Sequence, residues 1–464
     1  MQFELTIEYL DTLRQAIKAN DEKYVLAQLN ELHTADIADI IDKLEIEDAK
    51  FLYNHLDEYR ASEVFPDLED DIREEILASL SSKEIAEQVD NMASDDAADV
   101  ISELPDKVQD EVLSHIEDSE QASDIVDLLN YNENIAGGLM AKELIRVHVN
   151  KNVLECVREM RKQAEEVENI YTIYVVDDED KLLGLLSLKK LLTTPQLRTK
   201  IKDIYNAKII SVKTNTPAEE VANIMDKYGL VVLPVVDSLG RLEGRITLDD
   251  IVDFRREEET EDAQKMGGME ALDEPYMNIS FLQMIKKRAG WLVILFVGET
   301  LTATAMGFFQ GQIAKAVVLA LFVPLIISSG GNTGSQASTL ITRALALNEI
   351  SIREWWKIMK KELSVGLLLG LLLGTIGFLR ITIWSSFIDV YGPHWLLIAF
   401  TVGFSLVGVV LWGNLAGSLL PIFLKRLGFD PAVSSAPFVA TLVDVTGLII
   451  YFSFATFFLR GILL

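Results

Sequence analysis

Apolar and polar positions divide the chain into three regions with different periodicities. Up to about residue 133, apolar residues recur every three or four positions, as in ADIADIIDKL and DIREEILASL, and predict short amphipathic helices. The pattern from Leu32 to Leu44 is echoed from Met92 to Leu104, which indicates a repeated stack of helix pairs. Ser94 or Asp95 is expected to cap the second copy. This region is therefore predicted to be an all-α domain.

Between about residues 134 and 260, short β-rich runs alternate with helices. Each of two units has a buried strand, YVVD or LPVVD, then a turn, a second strand that contains glycine, and a helix. The repeat resembles a tandem pair of cystathionine-β-synthase (CBS) domains, which are ligand-sensing modules, often for adenine nucleotides. Thr247, Asp249 and Asp250 lie where such domains often contact a ribose. The identity of the ligand is not determined by these residues. The alternative to a ligand-sensing module is an α/β scaffold that binds no ligand.

The C-terminal region contains five apolar segments long enough to cross a membrane. They fall near 290–309, 313–345, 363–388, 395–421 and 434–460. Lysine and arginine concentrate before the first segment, between the second and third, and between the fourth and fifth. This alternation predicts a multi-pass protein of the cell membrane, in contact with lipid, with its N-terminus in the cytoplasm and its C-terminus outside.

The fifth segment contains a carboxylate, Asp444, among small and hydroxylated residues. A charge at membrane depth is costly and usually faces a cavity or an ion path. Pro437 lacks a backbone donor and is expected to free a carbonyl oxygen. Carboxylate, hydroxyl and carbonyl oxygens suit a hard cation such as Mg²⁺ or Ca²⁺. An ion pair with a buried arginine or lysine is the alternative.

Polar residues also interrupt three other membrane segments. The run from Ser328 to Gln336 in the second is too polar and glycine-rich to face lipid, so it is expected to line water beside Asp444 or to pack closely against another helix. Glu299 in the first segment is expected to pair with Arg380 or to hydrogen-bond a neighbour. Asn414 in the fourth is a weaker candidate of the same kind.

Charge and motif content narrow the possible functions. The formal net charge is −29, and the acidic excess lies in the region before the membrane segments, which disfavours nucleic acid as a partner and favours cations. The single cysteine, Cys156, is expected to serve packing. The chain contains no Walker loop, HExxH motif or nucleophile elbow, so an enzyme is not expected.

Several acidic residues are spaced to share helix faces. Asp95 and Asp99 are four residues apart, and a second group crowds the predicted helix between residues 250 and 262. Like charges at these spacings repel one another by a few tenths of a kcal/mol per pair, and a divalent cation would relieve the repulsion. Solvated surface acids are the alternative interpretation.

These motifs, in this order, are similar to those of the MgtE family of Mg²⁺ channels, and the resemblance covers essentially the whole chain. It rests on GGNTGSQ, DPAVSSAPFVATLVDVTG, AGGLM, the tandem CBS pair and the helical repeat. It implies a homodimer with a pore between the second and fifth spans, where Asp444 and the backbone near Ala440 hold a hydrated Mg²⁺. The implied pore-lining residues are Gly330, Gly331, Asn332, Pro437 and Thr441.

The resemblance also implies a cytosolic Mg²⁺ sensor whose bound ions close the pore. The sensor candidates are Asp95, Asp99, Glu219, Asp250, Asp253, Glu258, Glu261 and Asp262. Pro217 and Gly229 stand where some relatives have acidic residues, and Ala436 stands where some have a polar one. The number and affinity of the sensor sites therefore stay open.

The predicted organisation has five parts. They are an acidic helical domain over 1–133, CBS domains over 134–200 and 201–260, a connecting, plug-type helix over 261–285, and a transmembrane pore domain over 286–464. The predicted function is Mg²⁺ uptake through a channel that cytosolic Mg²⁺ closes. Mn²⁺, Co²⁺ and Ni²⁺ are further candidate ions, and ATP is the candidate ligand of the CBS pair. A proton-coupled transporter and a non-conducting nucleotide receptor are the alternatives.

Overall fold

The computed structural model describes residues 3–164, 167, 169–272, 276, 279–387 and 390–463. The chain divides into two compact units, Met1–Glu257 and Glu258–Leu464. The first contains helices and two small sheets, and the second contains the long apolar helices.

Among the described residues, ten short helices form the beginning of the first unit, as the apolar periodicity predicts. They are α1 (Ile7–Lys18), α2 (Glu22–Leu29), α3 (Thr34–Ile41), α4 (Ile46–Tyr53), α5 (Glu58–Val64), α6 (Asp70–Leu77), α7 (Ser82–Val89), α8 (Ser94–Ser102), α9 (Asp106–His115) and α10 (Ser119–Leu128). Several begin at a side-chain cap, such as Ser81, which accepts a hydrogen bond from the backbone of Glu84. Their apolar faces, with Ile41, Val89 and Ile101, share one continuous core.

The start of α8 differs from the sequence prediction that Ser94 or Asp95 caps it. The cap position is Ala93, and no side chain there accepts a hydrogen bond. Glu143, from the segment that follows the helical region, takes this role: its carboxylate accepts from Ser94 N at 3.0 Å and from Ser94 Oγ at 3.0 Å. A residue 49 positions away thus satisfies the exposed backbone donor of α8.

Two three-stranded sheets of the same topology follow. The first contains β1 (Arg146–His148), β2 (Ile173–Val176) and β3 (Leu182–Leu186), and the second contains β4 (Val212–Lys213), β5 (Val232–Val236) and β6 (Leu242–Thr247). In each, the first strand pairs parallel and the third antiparallel to the central strand. Val175 pairs with Gly184 and Val235 with Gly244, and each register then shifts at the next residue. The internal repeat predicted from the sequence is confirmed.

The hairpin turns of the two sheets contact each other. Leu182 N donates to Gly240 O and Leu242 N donates to Asp180 O, both at 3.0 Å. Asp180 (φ 58°) and Gly240 (φ 85°) adopt the left-handed conformation, which glycine and aspartate tolerate best. The reciprocal bonds relate the two repeats by an approximate two-fold symmetry.

In the described part of this region, four helices accompany the sheets: α11 (Val153–Gln163), α12 (Leu188–Thr193), α13 (Ala218–Tyr228) and α14 (Leu248–Met266). A 3₁₀ turn, Ile201–Asp203, lies between the repeats. Cys156 of α11 is buried in the core of the first repeat.

The segment 261–285, which was predicted to be one connecting helix, contains the end of one helix and the beginning of the next. Helix α14 runs through the boundary between the units and ends at Met266, and Gly268 follows with φ 78°. The next helix begins at Phe281. Residues 273–275, 277 and 278 of this segment lie outside the described residues.

Five helices in the described part of the second unit are long and apolar enough to cross a membrane. They are α15 (Phe281–Phe308), α17 (Val323–Ala346), α18 (Trp355–Ser385), α19 (Trp395–Arg426) and α20 (Ala436–Leu459). A short helix, α16 (Gln310–Lys315), and 3₁₀ turns at Val317–Phe322, Ile352–Glu354 and Pro431–Val433 connect them. Five spans were predicted, and their positions agree, although residue 388 of the third lies outside the described residues.

Glycines let the membrane helices approach closely. Gly366, Gly370, Gly374 and Gly377 are buried on one face of α18, and the backbone of α19 lies against this face at Val407 and Gly403. Gly330 and Gly334 of α17 likewise meet backbone atoms of α19. Helices α17, α18 and α19 therefore form a tightly packed group.

A side chain added at one of these contacts is expected to destabilise the membrane unit. In Gly330→Ala, the new Cβ would lie 2.5 Å from Val409 Cγ1 and 2.8 Å from Val443 Cγ1, and such overpacking costs roughly 1–3 kcal/mol. Gly307→Ala is the matched control, because no described atom outside its own helix lies within 4 Å of that position. Thermal unfolding of the protein in detergent should show a lower midpoint for Gly330→Ala alone; equal midpoints would contradict the packing argument.

Candidate functional site

The beginning of α20 is fixed against α17 by hydroxyl hydrogen bonds. Ser338 Oγ donates to Ser434 O at 2.8 Å, and Ser335 Oγ donates to Ala436 O at 3.0 Å. Ser435 caps α20 and also accepts a hydrogen bond from Trp291 Nε1 at 3.1 Å. The serines of the polar motifs thus set the register of α17, α20 and α15.

This register places Asp444 beside the glycine pair of α17. A Cβ at Gly331 would lie 3.4 Å from Ala440 Cβ and 3.5 Å from Asp444 Oδ1. Pro437, Ala440, Thr441 and Asp444 recur at helical spacing along α20, and all four are partly exposed. Asp444 therefore lies at an open edge of the α17–α20 contact.

Helix α17 presents a polar stripe at this edge. Ser328, Asn332, Gln336 and Thr339 are exposed at spacings of four, four and three. Asn332 Nδ2 donates to Ser328 Oγ at 3.3 Å. Polar side chains exposed on a membrane helix are stable where they face water or another protein surface rather than lipid.

The expectation that Pro437 frees a carbonyl oxygen was wrong. Pro437 lies in the first turn of α20, where a backbone N–H has no partner within the helix, so its absence costs no helical hydrogen bond. The carbonyl four residues earlier, Val433 O, accepts from Ser435 N at 2.7 Å. The carbonyl of Pro437 itself accepts from Thr441 Oγ1 at 3.0 Å.

Glu299 lies next to Asp444, which agrees with the second of the two sequence alternatives, a hydrogen bond with a neighbour, although the sequence did not identify that neighbour. A Cβ at Gly298 would lie 2.6 Å from Thr441 Cγ2, so α15 and α20 nearly touch there. The Glu299 carboxyl lies within hydrogen-bonding reach of the Asp444 carboxyl. Arg380 lies over the rings of Phe322 and Trp384, and among the described residues it forms no ion pair with Glu299.

Asn414 has a structural role. It is 4% exposed, and its Nδ2 donates to Glu362 O at 2.7 Å and to Glu362 Oε2 at 2.9 Å. These bonds link α19 to α18. The pairing joins residues 52 positions apart, so no local pattern indicated it.

A second group of carboxylates lies in the first unit, between α8 and α14. Asp95 and Asp96 of α8 interact with Asp250 of α14, and Asp99 of α8 interacts with Glu257 of α14. Asp250 accepts hydrogen bonds from Thr247 N at 2.8 Å and Thr247 Oγ1 at 2.7 Å. We call Asp95, Asp96, Asp99, Asp250 and Glu257 the carboxylate cluster.

Burial and mutual repulsion raise the pKa values of the carboxylate cluster. Burial, with Asp96 and Asp250, raises the pKa of Asp95 well above its usual range. Burial and Asp250 raise the pKa of Asp96 to about 7. The Asp99 residue is exposed to solvent, but its carboxylate is partly desolvated. This desolvation and the nearby Glu133 carboxylate raise the pKa of Asp99 to about 7.

One oxygen of the carboxylate cluster lacks a partner. Asp95 Oδ1 is buried and accepts no hydrogen bond from any described residue. A buried carboxylate oxygen without a donor is costly, and a cation would satisfy it. Within the described residues, no three acidic, histidine or cysteine side chains converge as a preassembled metal site, so a cation there would keep much of its water.

The other sensor candidates are distributed along α13 and α14. Asp253 interacts with Asp67 and Glu257, next to the carboxylate cluster. Glu219 is exposed in the first turn of α13. Glu258, Glu261 and Asp262 lie on the part of α14 that belongs to the second unit. Asp96 and Glu143 were missed, although Asp96 is adjacent to Asp95 in the DDAAD motif.

The end of α14 is tied to the segment before α20. Lys265 Nζ pairs with Asp430 Oδ2 at 2.8 Å and with Glu261 Oε1 at 2.6 Å. Partial burial opposes the charge of Lys265, but the two carboxylates raise its pKa overall. Asp430 also accepts from Ala432 N at 2.8 Å and so starts the turn that leads to Ser434 and Ser435.

The fold and these sites define a multi-pass membrane protein of the ion-transporter class, with a helical region and a CBS pair before its spans. Family models match over most of the chain: a divalent cation transporter model over residues 323–454, an MgtE intracellular N domain model over 32–134, and a CBS domain model over 136–195 and 201–257. The chain belongs to the MgtE family of magnesium transporters. The resemblance and fold class predicted from the sequence are confirmed, and this is a family of transporters, not of enzymes.

Two curated relatives support the assignment over long alignments. Magnesium transporter MgtE of Thermus thermophilus is 37% identical over 453 residues, which cover 97% of this chain and 98% of the relative. Magnesium transporter MgtE of Enterococcus faecalis is 33% identical over 343 residues, which cover 74% and 73%. A crystal structure of the cytosolic domain of the Mg²⁺ channel MgtE in complex with ATP is 34% identical, with a TM-score of 0.49, and covers 53% of this chain and 99% of that one.

The raised pKa values predict a pH dependence of the first unit. Unfolded aspartate has a pKa near 3.9, so the folded carboxylate cluster binds more protons than the unfolded chain, and stability falls as pH rises from about 4 through about 7. In divalent-free buffer, amide hydrogen exchange of α8 in the full-length protein should become faster between about pH 5 and pH 8, after correction for intrinsic exchange. Millimolar Mg²⁺ should restore protection at pH 8.

Asp96→Asn should flatten this dependence, because it removes one of the titrating groups. Asp110→Asn, on the exposed side of α9, is the matched control and should leave it unchanged. Protection that rises with pH in the absence of divalent ions would contradict the prediction.

Proposed function

We propose that this protein is a Mg²⁺-selective channel for Mg²⁺ uptake. The observation that carries the proposal is the position of Asp444, partly exposed beside Gly331 and next to the polar stripe of α17. An ion path accounts for a carboxylate and a polar stripe on neighbouring membrane helices, because neither is stable against lipid.

A homodimer would complete such a path. The polar stripe of α17 and the Asp444 side of α20 remain open in the single chain. Two copies related by a two-fold axis would enclose them and place two Asp444 carboxylates around one ion. Mg²⁺ gives up its water reluctantly, so these carboxylates, Asn332 and the Ala440 carbonyl would hold a hydrated ion. Mn²⁺, Co²⁺ and Ni²⁺ are further candidate substrates.

Cytosolic Mg²⁺ would close the channel by binding the carboxylate cluster and its neighbours on α14. The support is the buried, unpartnered Asp95 Oδ1 and the mutual repulsion that raises the neighbouring pKa values. A swing from mostly open to mostly closed takes about 5 kcal/mol of differential binding. Several weak sites that act together would supply it and make the response steep.

Helix α14 would carry the signal. Its first turn contains Asp249 and Asp250, and its last turn contains Lys265, which pairs with Asp430 just before the cap of α20. Cations that fix α14 would thereby fix the beginning of α20, about two turns before Asp444. Glu258, Glu261 and Asp262 would bind further ions along this helix, and Glu219 would bind one from α13.

The remaining parts of the proposal concern organisation. We propose the domain boundaries stated from the sequence, with the N-terminus in the cytoplasm, the C-terminus outside, and lipid around the spans. ATP is the proposed ligand of the CBS pair, near Thr247 and Asp249.

Removal of the pore carboxylate is expected to abolish most of the flux. Asp444→Asn keeps the size of the side chain and loses a charged contact worth about 1.5–3 kcal/mol, or roughly 10- to 100-fold in rate. Mg²⁺ uptake into proteoliposomes measures it. Glu349→Gln, in the loop after α17, is the matched control and should conduct normally. Normal uptake by Asp444→Asn would contradict the proposed path.

A proton-coupled transporter is the second candidate, because Glu299 and Asp444 are in contact. In the same proteoliposomes, a flux that requires a pH gradient and is lost in Glu299→Gln would establish coupling. A flux that follows membrane potential alone would exclude it. The absence of flux under every condition, with nucleotide still bound, would leave a receptor.

Removal of one sensor carboxylate is expected to weaken closure. Asp95→Asn removes the carboxylate whose Oδ1 lacks a partner. Closure should then need roughly tenfold more Mg²⁺ on the cytoplasmic side, because about one charged contact with the ion is lost. Single-channel recording with stepped Mg²⁺ measures it, and Asp110→Asn is the matched control. An unchanged closing concentration would show that the carboxylate cluster is not the sensor.

A further inference from the structure

A cavity of about 740 Å³ lies between the end of α14 and the beginning of α15. Its walls are mainly apolar and also include the polar side chains of a glutamine and an arginine. The lining includes Gln264, Met269, Leu272, Met284, Arg288 and Leu292. None of these residues belongs to the proposed ion path or to the carboxylate cluster.

Arg288 gives the cavity its charge. Among the described residues that line the cavity, Arg288 alone carries a charge. Among the described residues it forms no hydrogen bond or ion pair, and the neighbouring Glu270 carboxylate lies beside Gly290 instead. Arginine stays protonated at every physiological pH and presents five donors suited to phosphate oxygens. An open arginine against apolar walls is therefore arranged to receive an anion with an apolar body.

The position of the cavity along α15 matches the boundary of a membrane. Arg288 follows Lys286 and Lys287 and precedes Trp291 by one turn, and basic residues and tryptophan concentrate at the headgroup level. Beyond it, Leu292 and Phe296 continue the same face at spacings of four, and they are 55% and 72% exposed. The charged site thus leads directly into an apolar stripe on a membrane-spanning helix.

We propose that this cavity binds an anionic phospholipid. The phosphate lies at Arg288, and one acyl chain follows Leu292 and Phe296 along α15. Anionic lipid is favoured over zwitterionic lipid because Lys286, Lys287 and Arg288 add local positive charge, and each basic side chain near a membrane surface strengthens binding to anionic lipid. A small soluble anion would use Arg288 alone and leave the apolar walls exposed.

Native mass spectrometry of the full-length, delipidated protein tests the proposal. The wild type should retain dioleoyl phosphatidylglycerol in preference to dioleoyl phosphatidylcholine. Arg288→Gln should weaken phosphatidylglycerol retention roughly fivefold, the contribution of one basic side chain. Arg353→Gln, an exposed arginine before α18, is the matched control and should behave like the wild type.

Two further arms identify the ligand. Millimolar inorganic phosphate should not displace the lipid, and Leu292→Asn should weaken retention of the dioleoyl lipid but not of a six-carbon analogue. The proposal is overturned if Arg288→Gln retains the lipid normally, if Arg353→Gln weakens it equally, or if phosphate displaces it. The proposal is also overturned if the wild type shows no preference for phosphatidylglycerol over phosphatidylcholine. That result is expected if a second copy of the chain, rather than a lipid, covers the cavity.

Discussion

Carboxylates without a fixed countercharge are the feature on which both units depend. In the membrane unit, Asp444 and Glu299 lie together, and Arg380 contacts aromatic rings elsewhere. In the first unit, the carboxylate cluster repels itself, and burial raises its pKa values. The cost of such groups falls when a proton or a cation binds, and a chain that carries a net charge of −29 contains many of them. The same electrostatic deficit thus occurs at two places in the chain, and the proposed function assigns conduction to one and sensing to the other.

Asp444 and the carboxylate cluster differ in how firmly the surrounding structure fixes their positions. Asp444 lies on α20, which is fixed by hydroxyl contacts with α17 and by the cap at Ser435, so its position is set before an ion arrives. The carboxylate cluster joins α8 to α14 through groups that repel, so its geometry depends on what is bound. The proposed conducting site is therefore rigid, and the geometry of the proposed sensing site changes with what it binds.

The sequence predicted the architecture well because its signals are local. The five spans, the helical repeat and the paired CBS strands all follow from periodicity within short windows, and Asp444 was found because a lone carboxylate in an apolar segment is conspicuous. What it missed joins distant residues. Glu143 caps α8 in place of Ser94, Glu299 reaches Asp444, and Asn414 binds Glu362. Each of these contacts depends on tertiary packing that no local pattern encodes.

The glycine contacts of α17, α18 and α19 have a mechanical consequence. Backbones that meet through glycine cannot rotate or slide without collision, because no side chain between them can yield. Helix α15 is held far less, since most of its surface is exposed in the single chain. The three glycine-packed helices are therefore the rigid part of the membrane unit. In the proposed channel, movement during opening would be confined to α15 and the end of α14, because the first turns of α20 are bonded to α17.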